Sequence, residues 1–244
     1  MKRKIYNDLL NWKNTDNFKP LVVLGVRQCG KTYIIDEFCK NEFKYYKKVN
    51  LLENSDVVKL YKSDEPSEKK YNDLKLLLDF DFDKEGSILF IDEIQVSEEL
   101  ISELKYFNEK HSNVRLICAG SLLGVKLSRL RKPFPVGKIS RLYMYPMDFE
   151  EFLLAFNQQN LIDKIRECFN KNESMGLIHN KALSFYRQYL LSGGMPDSVS
   201  ELIRCNGDYY NYDLNILNDI INNVKLNLIL DDLMCGDIFN SAVD

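Results

Sequence analysis

Three short stretches of this chain carry residues whose types and spacing can do phosphate chemistry. The first is Gly25-Val26-Arg27-Gln28-Cys29-Gly30-Lys31-Thr32, a full G-x-x-x-x-G-K-[ST] pattern placed directly after the apolar run Leu21-Val22-Val23-Leu24. Glycines let successive backbone N–H groups curl around an anion, and a helix that begins at the lysine points its positive end at the same anion. In such a loop Lys31 reaches the β- and γ-phosphate oxygens of a nucleotide and the Thr32 hydroxyl ligates Mg²⁺. Gly25 to Thr32, with Tyr33 next in line, are therefore the expected nucleotide contacts. The second stretch is Ser87-Ile88-Leu89-Phe90-Ile91-Asp92-Glu93, an apolar run that opens onto two adjacent acids. Asp92 is expected to hold Mg²⁺, directly or through water, while Glu93 orients and polarises the attacking water. A solvated strand-to-helix turn also carries such acids, but beside a complete phosphate loop the pair reads as catalytic. The third stretch, Cys118-Ala119-Gly120-Ser121, closes a strand on a hydroxyl. Ser121 is expected to sense the γ-phosphate, with helix N-capping as its other use.

Strand-like and helix-like segments alternate through about residue 145, as needed to bring these stretches together. The expected strands are Leu21 to Gly25, Phe43 to Leu51, Ile88 to Ile91, Val114 to Ala119 and Ile139 to Tyr145. The intervening helices are expected over Lys31 to Lys40, Asp56 to Tyr61, Glu68 to Leu78, and after Ser97, which can cap a helix with Glu98 and Glu99 in its first turn. A β-α-β series of this kind predicts an α/β fold, a parallel sheet sandwiched by helices. After Pro146 the texture becomes helical. Asp148 can cap a helix whose third position is Glu151, and helical patterns recur over Leu161 to Phe169, Met175 to Leu191 and Tyr209 to Leu233. Gly193-Gly194-Met195-Pro196 is a break. The reading is a core over residues 1–145 and a helical region over 146–244.

Composition narrows the class. The chain has 244 residues, 45% hydrophobic, with a net charge of −3, enough to bury one sizeable core and not basic enough for indiscriminate nucleic-acid binding. No apolar run reaches membrane-spanning length, and Asn7, Asp8, Asn11, Lys13 and Asn14 interrupt any signal-peptide core after the basic start. The six cysteines lack CxxC spacing, so free thiols in a reducing, cytoplasmic setting are expected rather than a zinc site or disulfide framework. Asp79-Phe80-Asp81-Phe82-Asp83 imitates the start of a calcium loop, but Lys84 stands where the turn needs glycine and Phe90 where it needs glutamate; a polar loop is expected. Trp12, on an amphipathic N-terminal segment, is a candidate to pack beside the nucleotide base.

The order of several motifs is more specific than any one of them. The phosphate loop with Arg27-Gln28, then Phe90-Ile91-Asp92-Glu93-Ile94-Gln95, Ala119-Gly120-Ser121-Leu122-Leu123-Gly124, Phe134-Pro135-Val136-Gly137-Lys138, Tyr145-Pro146-Met147-Asp148-Phe149-Glu150-Glu151-Phe152 and Gly193-Gly194-Met195-Pro196 follow one another. From about Ile5 to its end, the chain resembles the AAA-superfamily P-loop ATP-binding proteins of bacteria and archaea that carry a C-terminal domain of unknown function. The resemblance implies ATP as the nucleotide, Mg²⁺ as its metal, a helical lid after the sheet and, in some relatives, a link to nucleic acid. It also implies a further C-terminal domain, which an end at Asp244 is expected to truncate.

From Lys110 to Met147 the chain has no Asp or Glu, while Arg129, Arg131, Lys138 and Arg141 fall within it. In AAA-type assemblies an arginine from this region often completes a neighbouring subunit's site. Arg129, Arg131 and Arg141 are the candidates for that trans-acting role in a homo-oligomer; the resemblance implies Gly-Arg in many relatives where this chain has Gly137-Lys138, and lysine lacks the planar fork. A solvated basic face and a nucleic-acid backbone contact are the other readings. For the chain as a whole, the functional expectation is an ATPase acting as a conformational switch. The alternatives are a non-hydrolysing ATP-gated interaction module and another P-loop enzyme, a GTPase or small-molecule kinase. The absence of an Asn-Lys-x-Asp motif argues against a GTPase.

Overall fold

The computed structural model describes residues 1–121, 135 and 137–225. The chain forms two compact units. Of the described residues, one holds those within Arg3–Val26 and Gly30–Tyr145; the other holds those from Pro146 onward with Met1–Lys2 and Arg27–Cys29.

In the first unit, α1 (Ile5–Lys13) precedes β1 (Leu21–Leu24), α2 (Lys31–Glu42), β2 (Tyr45–Asn50), α3 (Ser55–Lys62), α4 (Ser67–Leu78), β3 (Ser87–Asp92), α5 (Glu98–Lys110), β4 (Leu116–Gly120) and β5 (Ser140–Tyr143). The strands form one parallel sheet in the order β2-β3-β4-β1-β5. Parallel pairing needs crossover helices, and these cover both faces of the sheet. Every residue of β1, β3 and β4 is buried. Val22, Leu24, Leu89 and Ile91 join one core with Val57, Tyr61, Leu74, Leu100 and Phe107 from α3, α4 and α5. The alternate residues Leu21, Val23, Ile88 and Phe90 are equally buried and point to the other face.

Helix starts follow their local signals. The Ser97 hydroxyl accepts the Leu100 N–H at 3.2 Å and caps α5. In the loop between α4 and β3, Phe82 packs edge-on against Tyr71 at 5.2 Å. Lys75 lies 3.1 Å from Asp81 Oδ1 and also pairs with Asp83. Two of the three carboxylates of the calcium-like stretch, Asp81 and Asp83, thus serve a lysine of the same unit.

Trp12 differs from expectation. Its indole N–H donates to Lys19 O at 2.8 Å, and its ring stands near Phe18 and the Arg115 guanidinium. Lys19 and Arg115 precede β1 and β4, so Trp12 is fixed at the N-terminal ends of the strands, whereas the phosphate loop follows the C-terminal end of β1. An amphipathic aromatic residue announces burial; it does not announce against which end of a sheet.

The second unit contains α6 (Phe149–Ala155), α7 (Gln159–Lys171), α8 (Ile178–Ser192) and α9 (Pro196–Arg204), then a 3₁₀ turn at Tyr209–Asn211 and a helical run over residues 214–225. Residues 226–233 of the last expected helical pattern lie outside the described residues. Asp148 and Glu151 form a capping box: Glu151 N–H donates to Asp148 Oδ1 at 2.8 Å, and Asp148 N–H donates to Glu151 Oε2 at 3.3 Å. Helix α9 was not expected from the sequence, although Pro196 occupies its first turn, where the missing N–H costs nothing and φ is already helical.

Two motifs of the second unit hold each other. Met147 N–H donates to Gly194 O at 2.6 Å, and the Tyr189 hydroxyl donates to Met147 O at 3.0 Å. Gly193 adopts φ 67°, ψ −164°, a region open essentially to glycine alone. A Cβ on Gly194 would stand 2.0 Å from Met147 O and 2.9 Å from Met147 N. Gly194→Ala is therefore expected to destabilise the unit by about 3 kcal/mol, the upper part of the range for overpacking. Gly176→Ala is the control: its φ is 56° but its Cβ would meet nothing within 4 Å, so about 1 kcal/mol of backbone strain is expected there. Thermal denaturation of both variants checks the pair, and equal losses would refute the close-approach argument.

Candidate functional site

Parallel register brings the C-terminal ends of three strands to one edge of the sheet. Leu24 of β1 pairs with Gly120 of β4, and β4 also pairs with β3. Open α/β sheets bind ligands beyond this edge, where the chain leaves the strands for loops. Beyond it come Gly25 after β1, Glu93 after β3 and Ser121 after β4. Because β4 lies between β1 and β3, Ser121 follows the strand that separates the phosphate loop from the acid pair.

The loop after β1 has the backbone that its glycines and polar residues suggest. Gly30 takes φ 93° and Gln28 takes φ 63°. Left-handed conformations are rare for a non-glycine residue and cluster at ligand-holding turns. Cys29 is buried, while Arg27 and Gln28 are exposed. Lys31 opens α2 and is only 8% exposed. Its ammonium donates to Gly25 O at 2.8 Å and Val26 O at 2.7 Å, so the loop wraps around its own cation. Tyr33, expected among the nucleotide contacts, is 63% exposed on α2.

Asp92 is the buried acid of the site, at 5% exposure. Its Oδ2 accepts the Thr32 hydroxyl at 2.9 Å, its Oδ1 accepts the Glu93 N–H at 3.1 Å, and Lys48 Nζ stands 3.8 Å from Oδ2. A buried carboxylate needs such partners. The Thr32–Asp92 contact joins residues 60 positions apart and gathers a hydroxyl and a carboxylate, both hard oxygen donors of the kind Mg²⁺ takes. Glu93 is half-buried and left-handed at φ 56°, ψ 41°, directly before a 3₁₀ turn at Ile94–Val96. The Gln95 amide donates to Glu93 Oε2 and lies 3.5 Å from Ser121 Oγ, itself buried.

Lys48 and Gln95 are the residues of this cluster that the sequence reading gave no role. Lys48 sits on the edge strand β2 opposite Phe90, and only the register of β2 against β3 reveals its proximity to Asp92. Gln95 carried a local signal, two residues after Glu93. Among the arginine candidates, Arg129 and Arg131 lie outside the described residues, as do the residues directly after Ser121 that its N-capping use would need. Arg141 is exposed on β5, opposite Val22. Lys138 pairs with Glu109 at 2.9 Å.

No described helix is long and apolar enough to cross a membrane. The structure is similar to that of the Walker-type ATPase PABY2304 of Pyrococcus abyssi, at 19% identity over 96% of this chain and 74% of that one, with a TM-score of 0.51. At that identity the likeness speaks for the fold. C. elegans PCH-2 aligns at 14% identity over 93% of this chain and 69% of that one, with a TM-score of 0.45. No curated protein matches. A family model described as an AAA domain (AAA_14) matches residues 17–153. That is more than half of the chain, from before β1 to within α6, and so includes the phosphate loop, Asp92, Glu93 and Ser121. The chain belongs to this AAA family of P-loop ATPases.

Proposed function

We propose that the chain binds ATP with Mg²⁺ at the C-terminal edge of its sheet and hydrolyses it. Lys31 binds the β- and γ-phosphate oxygens, and backbone N–H groups of Gly25 to Thr32 cradle the phosphates. Thr32 and Asp92 hold Mg²⁺, which when bound offsets the phosphate charge. Glu93 takes the proton of the attacking water as general base, and Ser121 donates a hydrogen bond to the γ-phosphate. The residues after Pro146 serve as a helical lid whose relation to the sheet changes with the nucleotide. A trans-acting arginine in a homo-oligomer, with Arg141 the described candidate, belongs to the same reading.

The observation that carries it is the 2.9 Å bond between Thr32 Oγ1 and Asp92 Oδ2, because it brings the end of the phosphate loop to the acid of β3. The test is phosphate release from ATP with Mg²⁺ and after chelation by EDTA. A metal contributes several kcal/mol at the transition state, so chelation is expected to lower turnover by about 10³, with recovery when Mg²⁺ is restored. Turnover indifferent to the chelator would remove Thr32 and Asp92 from the metal role, and failure to release phosphate with Mg²⁺ present would leave the non-hydrolysing module standing.

A further inference from the structure

The side chain of Gln95 bridges the ends of two strands. From the 3₁₀ turn after β3 its Nε2 donates to Glu93 Oε2 and also lies 3.5 Å from Ser121 Oγ at the end of β4. Its Oε1 is buried without a hydrogen-bond partner among the described residues. Turning the amide over would set Oε1 against the Glu93 carboxylate, lone pair facing lone pair, so the donor side belongs where it stands. Glu93 itself has a left-handed backbone that few L-residues adopt. The direction of its carboxylate is therefore not dictated by regular helix or strand geometry, and among the described residues the Gln95 amide is the side-chain group that donates to it.

We infer that Gln95 is a positioning residue for hydrolysis: its amide aims the Glu93 carboxylate at the attacking water and ties it to Ser121. The inference rests on the reading of Glu93 as the general base. A base that acts on a bound water works best when a third group fixes its direction, and a misplacement of about 1 Å can lower a rate by up to about 10². With one amide touching both side chains, the hydroxyl that meets the γ-phosphate and the carboxylate that prepares the water share a single support. Gln95 meets neither nucleotide nor water in this account; it acts through Glu93.

The test uses the whole chain and two replacements of similar length. Gln95→Met keeps the reach and loses the donor; Gln95→Glu keeps the shape and sets a second carboxylate against the first. Steady-state hydrolysis of Mg·ATP is expected to show kcat lowered about tenfold in Gln95→Met and further in Gln95→Glu. KM and the ATP affinity measured by calorimetry are expected to stay within twofold of the parent. The separating measurement is the cycle with Glu93→Gln. If Gln95 acts through Glu93, adding Gln95→Met to Glu93→Gln changes the residual rate by less than twofold. A parental kcat in Gln95→Met, a rise in KM that accounts for the loss, or a tenfold further drop in the double variant would each overturn the inference. Parental turnover in Glu93→Gln alone would instead overturn the reading of Glu93, which keeps the two failures apart.

Discussion

Lys31→Ala is expected to lower the affinity for ATP by at least about 10² while leaving the sheet folded. The ammonium is fixed by Gly25 O and Val26 O at 2.8 and 2.7 Å, inside the loop where the β- and γ-phosphates would lie. Charge-assisted hydrogen bonds contribute about 1.5–3 kcal/mol each, and about 1.4 kcal/mol is tenfold in binding, so losing two such bonds to phosphate gives the expected scale. The fold is expected to survive because Gly25 is half-buried and Val26 exposed, which lets water replace the ammonium at both carbonyls. Calorimetric titration with Mg·ATP, beside circular dichroism of the variant, measures both parts. Parental affinity in a folded Lys31→Ala protein would sink the assignment of the phosphate loop.

Glu93→Gln is expected to separate binding from chemistry. The amide matches the carboxylate in size and can still bond to Gln95, but it cannot take a proton from water. General-base catalysis contributes about 10²–10⁴ in rate, so turnover should fall by at least about 10² while ATP affinity stays near the parent value. Single-turnover hydrolysis and equilibrium binding on the same preparation decide it. If the variant keeps the parent rate, the left-handed backbone at Glu93 is only the entry to the 3₁₀ turn, and the water is prepared by another group.

The phosphate loop, the Asp92-Glu93 pair, the Ser97 cap and the Asp148–Glu151 capping box were legible in the sequence because each is written within eight consecutive residues. Their chemistry is local: glycines for turns, oxygens for orphan N–H groups, a lysine where a helix begins. The parallel sheet was legible as well, since its apolar strands alternate with helical segments. What the sequence did not disclose depends on register between distant segments. Lys48 reaches Asp92 only because β2 lies beside β3, and the roles of Gly193 and Gly194 depend on a strained backbone and on Met147, some 47 residues away in the chain. The end of the sheet at which Trp12 packs depends likewise on a distant segment, that of Arg115. Helix α9 is hidden by the two uses of Pro196, which after two glycines reads as a break but also begins a helix.

The strand order has a consequence for how the chain is made. β1 leaves the ribosome well before the strands it pairs with, β4 and β5: Leu21 pairs with Ile117 on one side and Ser140 on the other. Those partners are synthesised some 96 and 119 residues later. Contacts of such separation demand loop closure before they return any stabilisation, which makes them slow to form. At about 5–20 residues per second, β1 waits on the order of 5–20 s with both edges unpaired. The bond from Thr32 to Asp92, which joins residues 60 positions apart, likewise waits for β3. A strand of four apolar residues is a short hazard to leave open meanwhile.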